Sequence, residues 1–382
     1  MNGIGLYIHV PFCVRKCRYC DFYSICDLSL VPRFTAALQR EISAQSQQCH
    51  TIVDTVYFGG GTPSLLTPKT IEALLNKIHS CFHLTPDAEI TLEVNPGTVD
   101  AAQLDAYRRI GLNRLSIGVQ SFHPYELKLL GRLHTANQSR QLLHRARSAG
   151  FENIGIDLIY AIPGQTPARW KATLAAALDF SPEHLSCYGL TFEAGTPLAA
   201  DRDRGRIVPV ADPVTAALYR TMVAELRSAG YHQYEVSNFC RQPQLASRHN
   251  LKYWNFKPYL GLGPAAHSFV PPERCWNPSD IAAYLQALES GAAPVAACET
   301  LSRDQVMVEA VYLGLRQTPG IDPEHFRQRF QADFDHLFGA LTRRFRSRGL
   351  MTFDAGRWAL TVEGMLLLDH IAAEMVACLP DE

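Results

Sequence analysis

The chain has 382 residues, and its charges nearly cancel, with 36 Lys and Arg against 37 Asp and Glu. Its 47% hydrophobic and 10% aromatic residues are ample for a packed core, which excludes disorder as the global state. Nucleic acids and anionic membranes attract a surplus of positive charge, so the balanced charge argues against both as partners. No stretch reaches the ~18 consecutive apolar residues of a membrane span.

The start of the chain and its cysteines favour a reducing compartment. The first residues, MNGIGLYIHVPFC, contain no basic region followed by an apolar run, so the sequence predicts a cytoplasmic protein without a secretory signal. In that compartment thiols bind metals or act in catalysis. Three of the eleven cysteines are closely spaced, Cys13, Cys17 and Cys20. Most of the other eight are expected to be small buried hydrophobic residues: Cys26, Cys49, Cys81, Cys187, Cys240, Cys275, Cys298 and Cys378.

Short β-rich runs alternate with helical segments over residues 1–238. Strands are predicted over residues 6–10, 54–58, 89–94, 114–119, 153–159 and 184–190, with a weaker one over 233–236. Helices are predicted over residues 32–47, 68–80, 100–110, 138–149, 167–178 and 213–229. Asp100 and Asp212 are expected to cap two of these helices.

Three glycines mark a repeated unit. Gly111, Gly150 and Gly230 each follow a helical run and precede a strand, as a left-handed C-terminal residue does. Their spacings of 39 and 80 residues are one and two strand-plus-helix units. With no GxGxxG motif, the pattern predicts an α/β fold built as a partial (β/α) barrel of about six parallel units. Functional groups of such barrels lie at the carboxyl ends of the strands.

Two further segments follow the predicted barrel. Residues 239–299 are rich in Pro, Gly, Asn and aromatic residues and predict an irregular connection or lid. Residues 300–382 predict three helices, a short hairpin and a final helix, a small winged-helix-like α+β domain. Winged helices often bind DNA, but this segment has 9 Arg and no Lys against 12 Asp and Glu. Nucleic-acid binding is therefore not expected, because a DNA-binding domain has the opposite sign of charge.

The clearest motif is Cys13-x3-Cys17-x2-Cys20, directly after the first predicted strand. Three thiolates can hold three irons of a cubic iron–sulfur cluster and leave the fourth iron open. Zinc is the alternative metal, but a structural zinc site needs four ligands. Asp21, His9 or Cys26 would have to complete a zinc site, at uncommon spacings.

This motif, with Tyr19 inside its last gap, resembles that of the radical S-adenosylmethionine superfamily. The resemblance implies a [4Fe-4S] cluster whose open iron binds the amino and carboxylate groups of S-adenosylmethionine. Reductive cleavage would then give a 5′-deoxyadenosyl radical. The segment YFGGGTP after the second strand resembles the superfamily's GGTP segment, so Gly60, Gly61 and Thr62 are expected to meet the methionyl amino group.

Within that superfamily, the whole chain resembles the coproporphyrinogen dehydrogenase branch. The matching segments are LYIHVPFC, YFGGGTPS, LEVNPGT, RLSIGVQSF and IGIDLIYAIPGQT. The resemblance implies that Tyr7 and Tyr19 flank the cluster and the adenine. It also implies contacts to the nucleoside or the methionine from four further residues: Glu93, Gln120, Arg132 and Asp157.

Two departures and one further motif favour a different member of this branch. The first cluster ligand is already residue 13, and Phe22 occupies the position of a further cysteine in the dehydrogenases. Both features are similar to those of the HemW-type haem chaperones. The segment from His249 to Trp254 matches their HNxxYW motif, in which the histidine is implicated in haem binding. A loop is expected there, with His267 as the reserve haem ligand.

The resemblance therefore implies a haem chaperone that binds haem and delivers it to client haemoproteins, with respiratory-chain proteins as candidate clients. An electron donor for the cluster is a further expected partner. Three alternatives stay open: a coproporphyrinogen III dehydrogenase, a methyltransferase using two S-adenosylmethionine molecules, and a protein that only binds a cluster. No catalytic residue is assigned, and whether the chain is an enzyme stays open.

Overall fold

The computed structural model describes residues 3–48 and 51–379. A twelve-stranded sheet forms the centre, in the order β12-β11-β10-β9-β1-β2-β3-β4-β5-β6-β8-β7. Its strands are β1 Ile4–Val10, β2 Val53–Gly60, β3 Leu84–Val94, β4 Arg114–Gln120, β5 Ile154–Tyr160, β6 His184–Gly189, β7 His232–Gln233, β8 Asn238–Cys240, β9 Tyr259–Leu262, β10 His267–Val270, β11 Glu273–Trp276 and β12 Ala297–Thr300. A separate hairpin pairs β13 Met351–Asp354 with β14 Arg357–Leu360.

The helices alternate with the parallel strands and then continue into the C-terminal unit. They are α1 Val31–Gln48, α2 Pro68–Cys81, α3 Ala101–Arg109, α4 Pro124–Leu130, α5 Ala136–Ser148, α6 Pro167–Leu178, α7 Pro197–Asp203, α8 Asp212–Ser228, α9 Arg248–Trp254, α10 Ile281–Glu289, α11 Arg303–Arg316, α12 Pro323–Phe330, α13 Phe334–Ser347, α14 Val362–Met365 and α15 Leu368–Val376. No helix within the described ranges is long and apolar enough to cross a membrane.

The mostly parallel sheet confirms the predicted α/β partial barrel. Strands β1 to β6 pair in parallel and in chain order, as six successive β/α units require. A seventh strand, β9, also runs parallel to β1, which the sequence analysis missed. Its four residues, YLGL, are too few for a clear period, and Gly261 is needed because a Cβ there would lie 2.2 Å from the His267 carbonyl oxygen.

The ends of the helices show which local signals were interpreted correctly. Asp100 accepts from the Gln103 backbone N–H in a capping box, as expected. Gly111, Gly150 and Gly230 have the predicted left-handed backbone, with φ of 103°, 84° and 83°. The prediction for Asp212 was wrong, because it is the first residue of α8 and makes no capping hydrogen bond.

The segment 239–299 is more regular than its composition indicates. It contains α9, strands β9 to β12 and α10, so the expectation of an irregular connection was wrong. The elements escaped detection because they are only four to nine residues long, below the length at which periodicity is informative. The boundaries of the predicted domains themselves stay a prediction.

The cysteines outside the CxxxCxxC motif differ from expectation. Cys275 and Cys298 form a disulfide between directly opposed positions of β11 and β12, with a Cα–Cα distance of 4.1 Å. Cys187 and Cys240 are buried as expected, whereas Cys26 and Cys378 are exposed and Cys81 is half-buried. Cys49 lies outside the described residues. The spacing of Cys275 and Cys298 could not predict the pair, since only the register of β11 and β12 brings them together.

Candidate functional site

A cavity of about 600 Å³ opens at the carboxyl ends of the parallel strands. Every residue predicted for the cluster and S-adenosylmethionine lines it except Tyr7: Cys13, Cys17, Tyr19, Cys20, Gly60, Gly61, Thr62, Glu93, Gln120, Arg132 and Asp157. The strands bring them together because the carboxyl ends of parallel strands share one edge of a sheet. Their roles toward a cofactor stay predictions.

The loop after β1 holds the three cysteines at the cavity wall. Its two ends are joined, since the Cys13 N–H donates to the Ile25 carbonyl at 2.9 Å and the Ile25 N–H donates to the Pro11 carbonyl. The middle of the loop is fixed to the end of α4, where the Arg18 N–H donates to the Leu130 carbonyl at 3.1 Å. Backbone hydrogen bonds therefore connect both ends and the middle of the loop to the rest of the fold.

The three predicted cluster ligands share one cavity. All three thiols line the cavity, yet within the described residues no three His, Cys, Asp or Glu side chains converge on one point that would hold a metal ion. A cubane needs no such convergence, because each thiolate binds a different iron. Burial raises the pKa of the Cys20 thiol to about 11, so binding of iron there would release a proton.

The glycines after β2 let this segment approach the cysteine loop. The Gly61 N–H donates to the Val10 carbonyl at 2.8 Å. A Cβ at Gly61 would lie 2.7 Å from the Phe12 carbonyl oxygen, closer than real Cβ contacts. Gly60 has φ of 105°, and a Cβ there would meet the His9 ring. The run of glycines thus places Thr62 with its hydroxyl 3.6 Å from the Cys13 sulfur.

We expect Gly61→Ala to displace the cysteine loop and to reduce iron incorporation on reconstitution. Forcing a methyl group against backbone costs ~1–3 kcal/mol. Because β2 is held in the sheet by its neighbouring strands, the cysteine loop is the part that we expect to move. Iron per chain and thermal unfolding would be measured together. Gly111→Ala is the control, because its surroundings are open, so it should lower stability without changing iron content. Equal iron content in the two variants would contradict this role of Gly61.

Arg132 places a cation beside the cysteines. Its guanidinium donates to the Cys17 sulfur at 3.4 Å, to the Gly118 carbonyl at 2.7 Å and to the Asn95 side chain. Its Nε–H is buried and has no partner among the described residues. A buried donor costs free energy unless it is paired, so this nitrogen is available for a carboxylate.

The floor of the cavity carries two carboxyl groups and a second arginine. Burial and, second, the nearby Asp157 together raise the pKa of Glu93 to about 7, and the Tyr57 hydroxyl donates to Glu93 at 2.9 Å. Burial also raises the pKa of Asp157, which accepts from Ser116 at 3.0 Å. Arg114 is fully buried close by, and two of its nitrogens have no partner within the described residues. This floor can therefore both accept and donate hydrogen bonds to a polar ligand.

Several lining residues were missed by the sequence analysis. Asn95 follows Glu93 at the carboxyl end of β3, so the rule on strand ends would have indicated it. Arg114 lies at the opposite end of its strand, where no sequence signal marks it. The remaining polar groups on the wall include Ser186, Tyr188 and Asn250.

Tyr7 and His249, both predicted to bind a ligand, lie outside this cavity. Tyr7 is behind Tyr57, with ring centroids 6.2 Å apart, and its hydroxyl pairs with His9 Nδ1 at 3.1 Å. His249 is only 1% exposed, and both ring nitrogens are paired, Nδ1 with the Thr55 hydroxyl and Nε2 with the Tyr253 hydroxyl, each at 2.9 Å. In this conformation neither residue is available to a ligand in the cavity.

The HNxxYW segment forms helix α9 and not the expected loop. Glu89 accepts from the backbone N–H groups of Arg248 and His249 at the start of the helix, both at 3.1 Å. Lys252 donates to the Gly3 carbonyl at 2.7 Å and forms an ion pair with Asp54 at 2.6 Å. These contacts fix α9 against the start of β1 and against β2 and β3. His249 therefore packs on the strands as a buried structural residue.

We expect acid to destabilise the protein partly through His249. Burial, with the charges of Lys252 and Arg114, lowers the pKa of its imidazole to about 3, whereas an unfolded histidine titrates near ~6.5. Between these values only the unfolded chain takes up the proton, so the free energy of unfolding falls by ~1.4 kcal/mol per pH unit as pH decreases. Urea unfolding at several pH values from 7 to 5 should therefore show a shallower acid loss in His249→Gln. Parallel curves for the two proteins would contradict the buried, neutral state of His249.

Comparison with known proteins agrees with this architecture. The profile of the radical SAM superfamily matches residues 7–177, and that of the HemN C-terminal domain matches residues 301–367. The solved structure of coproporphyrinogen III oxidase (HemN) from Escherichia coli, described as a radical SAM enzyme, superposes with a TM-score of 0.85 at 25% identity. The match covers 99% of this chain and 91% of that one.

Similar sequences carry a more specific description. Heme chaperone HemW from Synechocystis sp. is 38% identical over 82% of this chain and 78% of its own length. Heme chaperone HemW from Mycobacterium tuberculosis is 34% identical over 97% of this chain and 94% of its own length. The chain therefore belongs to the radical SAM superfamily, in the family of the HemW haem chaperones.

Proposed function

We propose that the protein binds haem and hands it to client haemoproteins, and that it holds a [4Fe-4S] cluster and S-adenosylmethionine in the cavity. The observation that carries this proposal is the similarity, along nearly the whole chain, to proteins named heme chaperone HemW. Phe22 also supports the chaperone function. This exposed residue occupies the position at which the resemblance places a further cysteine in the coproporphyrinogen dehydrogenases.

The cavity supports binding of the cluster and S-adenosylmethionine. Cys13, Cys17 and Cys20 would hold three irons, and the bound cluster would supply an electron. The unpaired Nε–H of Arg132 would bind the methionine carboxylate beside the cluster. Glu93 and Asp157 would accept hydrogen bonds from the ribose hydroxyls at the cavity floor. The burial of Glu93, Asp157 and Arg132 would strengthen each of these contacts.

We further propose that the protein works in the cytoplasm, where reductants for the cluster are present. Its partners would be haem, client haemoproteins such as those of the respiratory chain, and an electron donor for the cluster. The exposed Val14 and Phe22 of the cysteine loop offer an apolar surface near the cavity mouth for one of these proteins.

One alternative has a specific observation in its favour. The chain superposes closely on the E. coli coproporphyrinogen III oxidase. The polar cavity floor of this chain would also suit oxidative decarboxylation of coproporphyrinogen propionates. Arg114 could bind a propionate in that reaction, because it is buried with unpaired nitrogens.

Parallel assays on one preparation separate the two functions. After anaerobic reconstitution of the cluster, haem binding would be titrated by absorbance, and coproporphyrinogen III would be supplied with S-adenosylmethionine and reductant. We expect near-stoichiometric haem binding and no protoporphyrinogen IX. Turnover of coproporphyrinogen III without haem binding would contradict the chaperone function and favour the decarboxylase function.

A further inference from the structure

A second cavity lies away from the cysteine loop, between the β10–β11 hairpin and helix α11. Its volume is about 490 Å³, within the ~300–1,000 Å³ range of cofactor pockets. The lining is mostly aromatic and apolar, from the residues Tyr253, Phe256, Tyr259, Phe269, Trp276 and Leu313. Aromatic walls of this kind suit a flat, apolar ring system.

His267 is the histidine of this cleft, and its ring nitrogens are not engaged by other side chains of the described residues. His267 lies on β10, is exposed to solvent and lines the cleft. Its imidazole stacks on Trp276, with ring centroids 5.7 Å apart and planes 25° from parallel. It makes no side-chain hydrogen bond to any described residue. His249 differs in both respects, because it is buried and both of its nitrogens are paired.

Charged groups connect the two walls of the cleft and border it. Arg274 of β11 donates to Glu309 of α11 at 2.6 and 2.8 Å, so it ties the two walls together. Arg329 of α12 places its guanidinium 4.7 Å from the centre of the Phe256 ring, which lines the cleft. Arg329 has no carboxylate partner among the described residues, so it can pair with an acidic group of a ligand.

We propose that this cleft is the haem site, with His267 as the ligand of the haem iron and Arg329 as the partner of a propionate. The proposal rests on the haem-binding function proposed above and places that function outside the cysteine cavity. Imidazole is a common axial ligand of haem iron, and the aromatic walls would cover the porphyrin. Haem and S-adenosylmethionine would then occupy separate sites of one chain.

The iron ligand can be tested by haem titration of variants of the full chain. His267→Ala should weaken haem binding by at least about tenfold and shift the haem absorption spectrum. His267→Met should retain haem with a higher reduction potential, because a thioether replaces the imidazole. His336→Ala is the control, since this exposed histidine of α13 lies outside the cleft. Iron–sulfur content and circular dichroism should match the parent protein in all three.

The propionate contact has its own pair of variants. Arg329→Ala should weaken haem binding without changing the absorption spectrum, because the iron ligand stays in place. Arg327→Ala serves as the control, since this residue of the same helix is already paired with Glu324 at 2.7 Å. An equal effect of the two substitutions would show a general charge effect and would overturn the assignment of Arg329.

The outcomes distinguish this proposal from the function on which it rests. If the parent protein binds no haem, both the proposed chaperone function and the assignment of the cleft as the haem site are wrong. If the parent binds haem and both His267 variants keep its affinity, spectrum and reduction potential, only the location is wrong. If His249→Ala changes the haem affinity and spectrum and the His267 variants do not, then α9 opens and the HNxxYW histidine binds haem.

Discussion

Cys13→Ala, Cys17→Ala and Cys20→Ala are each expected to abolish the cluster. Reconstituted parent protein should hold about four irons per chain and show the broad visible absorption of a thiolate-bound cubane. Each variant should lose nearly all of both, because two thiolates do not retain a site-differentiated cubane. The fold should persist, since the cysteine loop is closed by the backbone hydrogen bonds of Cys13 and Ile25. Iron analysis, absorption and circular dichroism measure these results.

Cys26→Ala is the matched control for the cluster. Cys26 lies only six residues beyond the third predicted ligand, but it is exposed and does not line the cavity. Its loss should leave iron content and absorption unchanged. An essential Cys26 together with zinc in place of iron would contradict the assignment of a cluster with an open iron.

Arg132→Ala is expected to weaken binding of S-adenosylmethionine by ~10- to 100-fold, because a hydrogen bond to a charged group contributes ~1.5–3 kcal/mol. Coordination of the open iron should perturb the electron paramagnetic resonance spectrum of the reduced cluster, and titration of this change measures the affinity. Asp157→Ala should weaken the same titration through loss of an acceptor at the cavity floor. Iron content should stay close to that of the parent in both variants.

The control for this titration is Arg109→Ala, at the exposed end of α3. It removes the same charge far from the cavity and should leave the affinity unchanged. A spectrum of the parent protein that does not respond to saturating S-adenosylmethionine would favour a protein that only binds a cluster.

The parallel core of the fold could be predicted from the sequence because its signals are local. Strands β1 to β6 each contain a short run that the sequence marks, Gly111 and Gly150 end two of the helices between them, and Gly230 ends α8, which follows β6. The carboxyl-end rule then predicts that the cysteines, Glu93 and Asp157 share one site, and all of them line the same cavity. These residues share a cavity because the topology brings consecutive strand ends together.

The remaining features depend on contacts between distant parts of the chain. Strand β9 is too short to recognise alone and gains its place by pairing with β1, some 250 residues earlier. His249 looked accessible within a segment rich in Pro and Gly, but Thr55 and Glu89 fix it in a buried helix. Arg114 gave no local signal, since it lies at the amino end of β4 and lines the cavity only once the strands are assembled.

Transfer of haem to an acceptor tests the chaperone function most directly. Haem-loaded protein would be mixed with increasing concentrations of a respiratory-chain apoprotein, and with apomyoglobin, which captures haem that dissociates spontaneously. A chaperone passes haem within a complex, so we predict that the rate to the respiratory apoprotein rises with its concentration and exceeds the rate to apomyoglobin. Equal rates to both acceptors, independent of their concentration, would show simple dissociation and contradict the account.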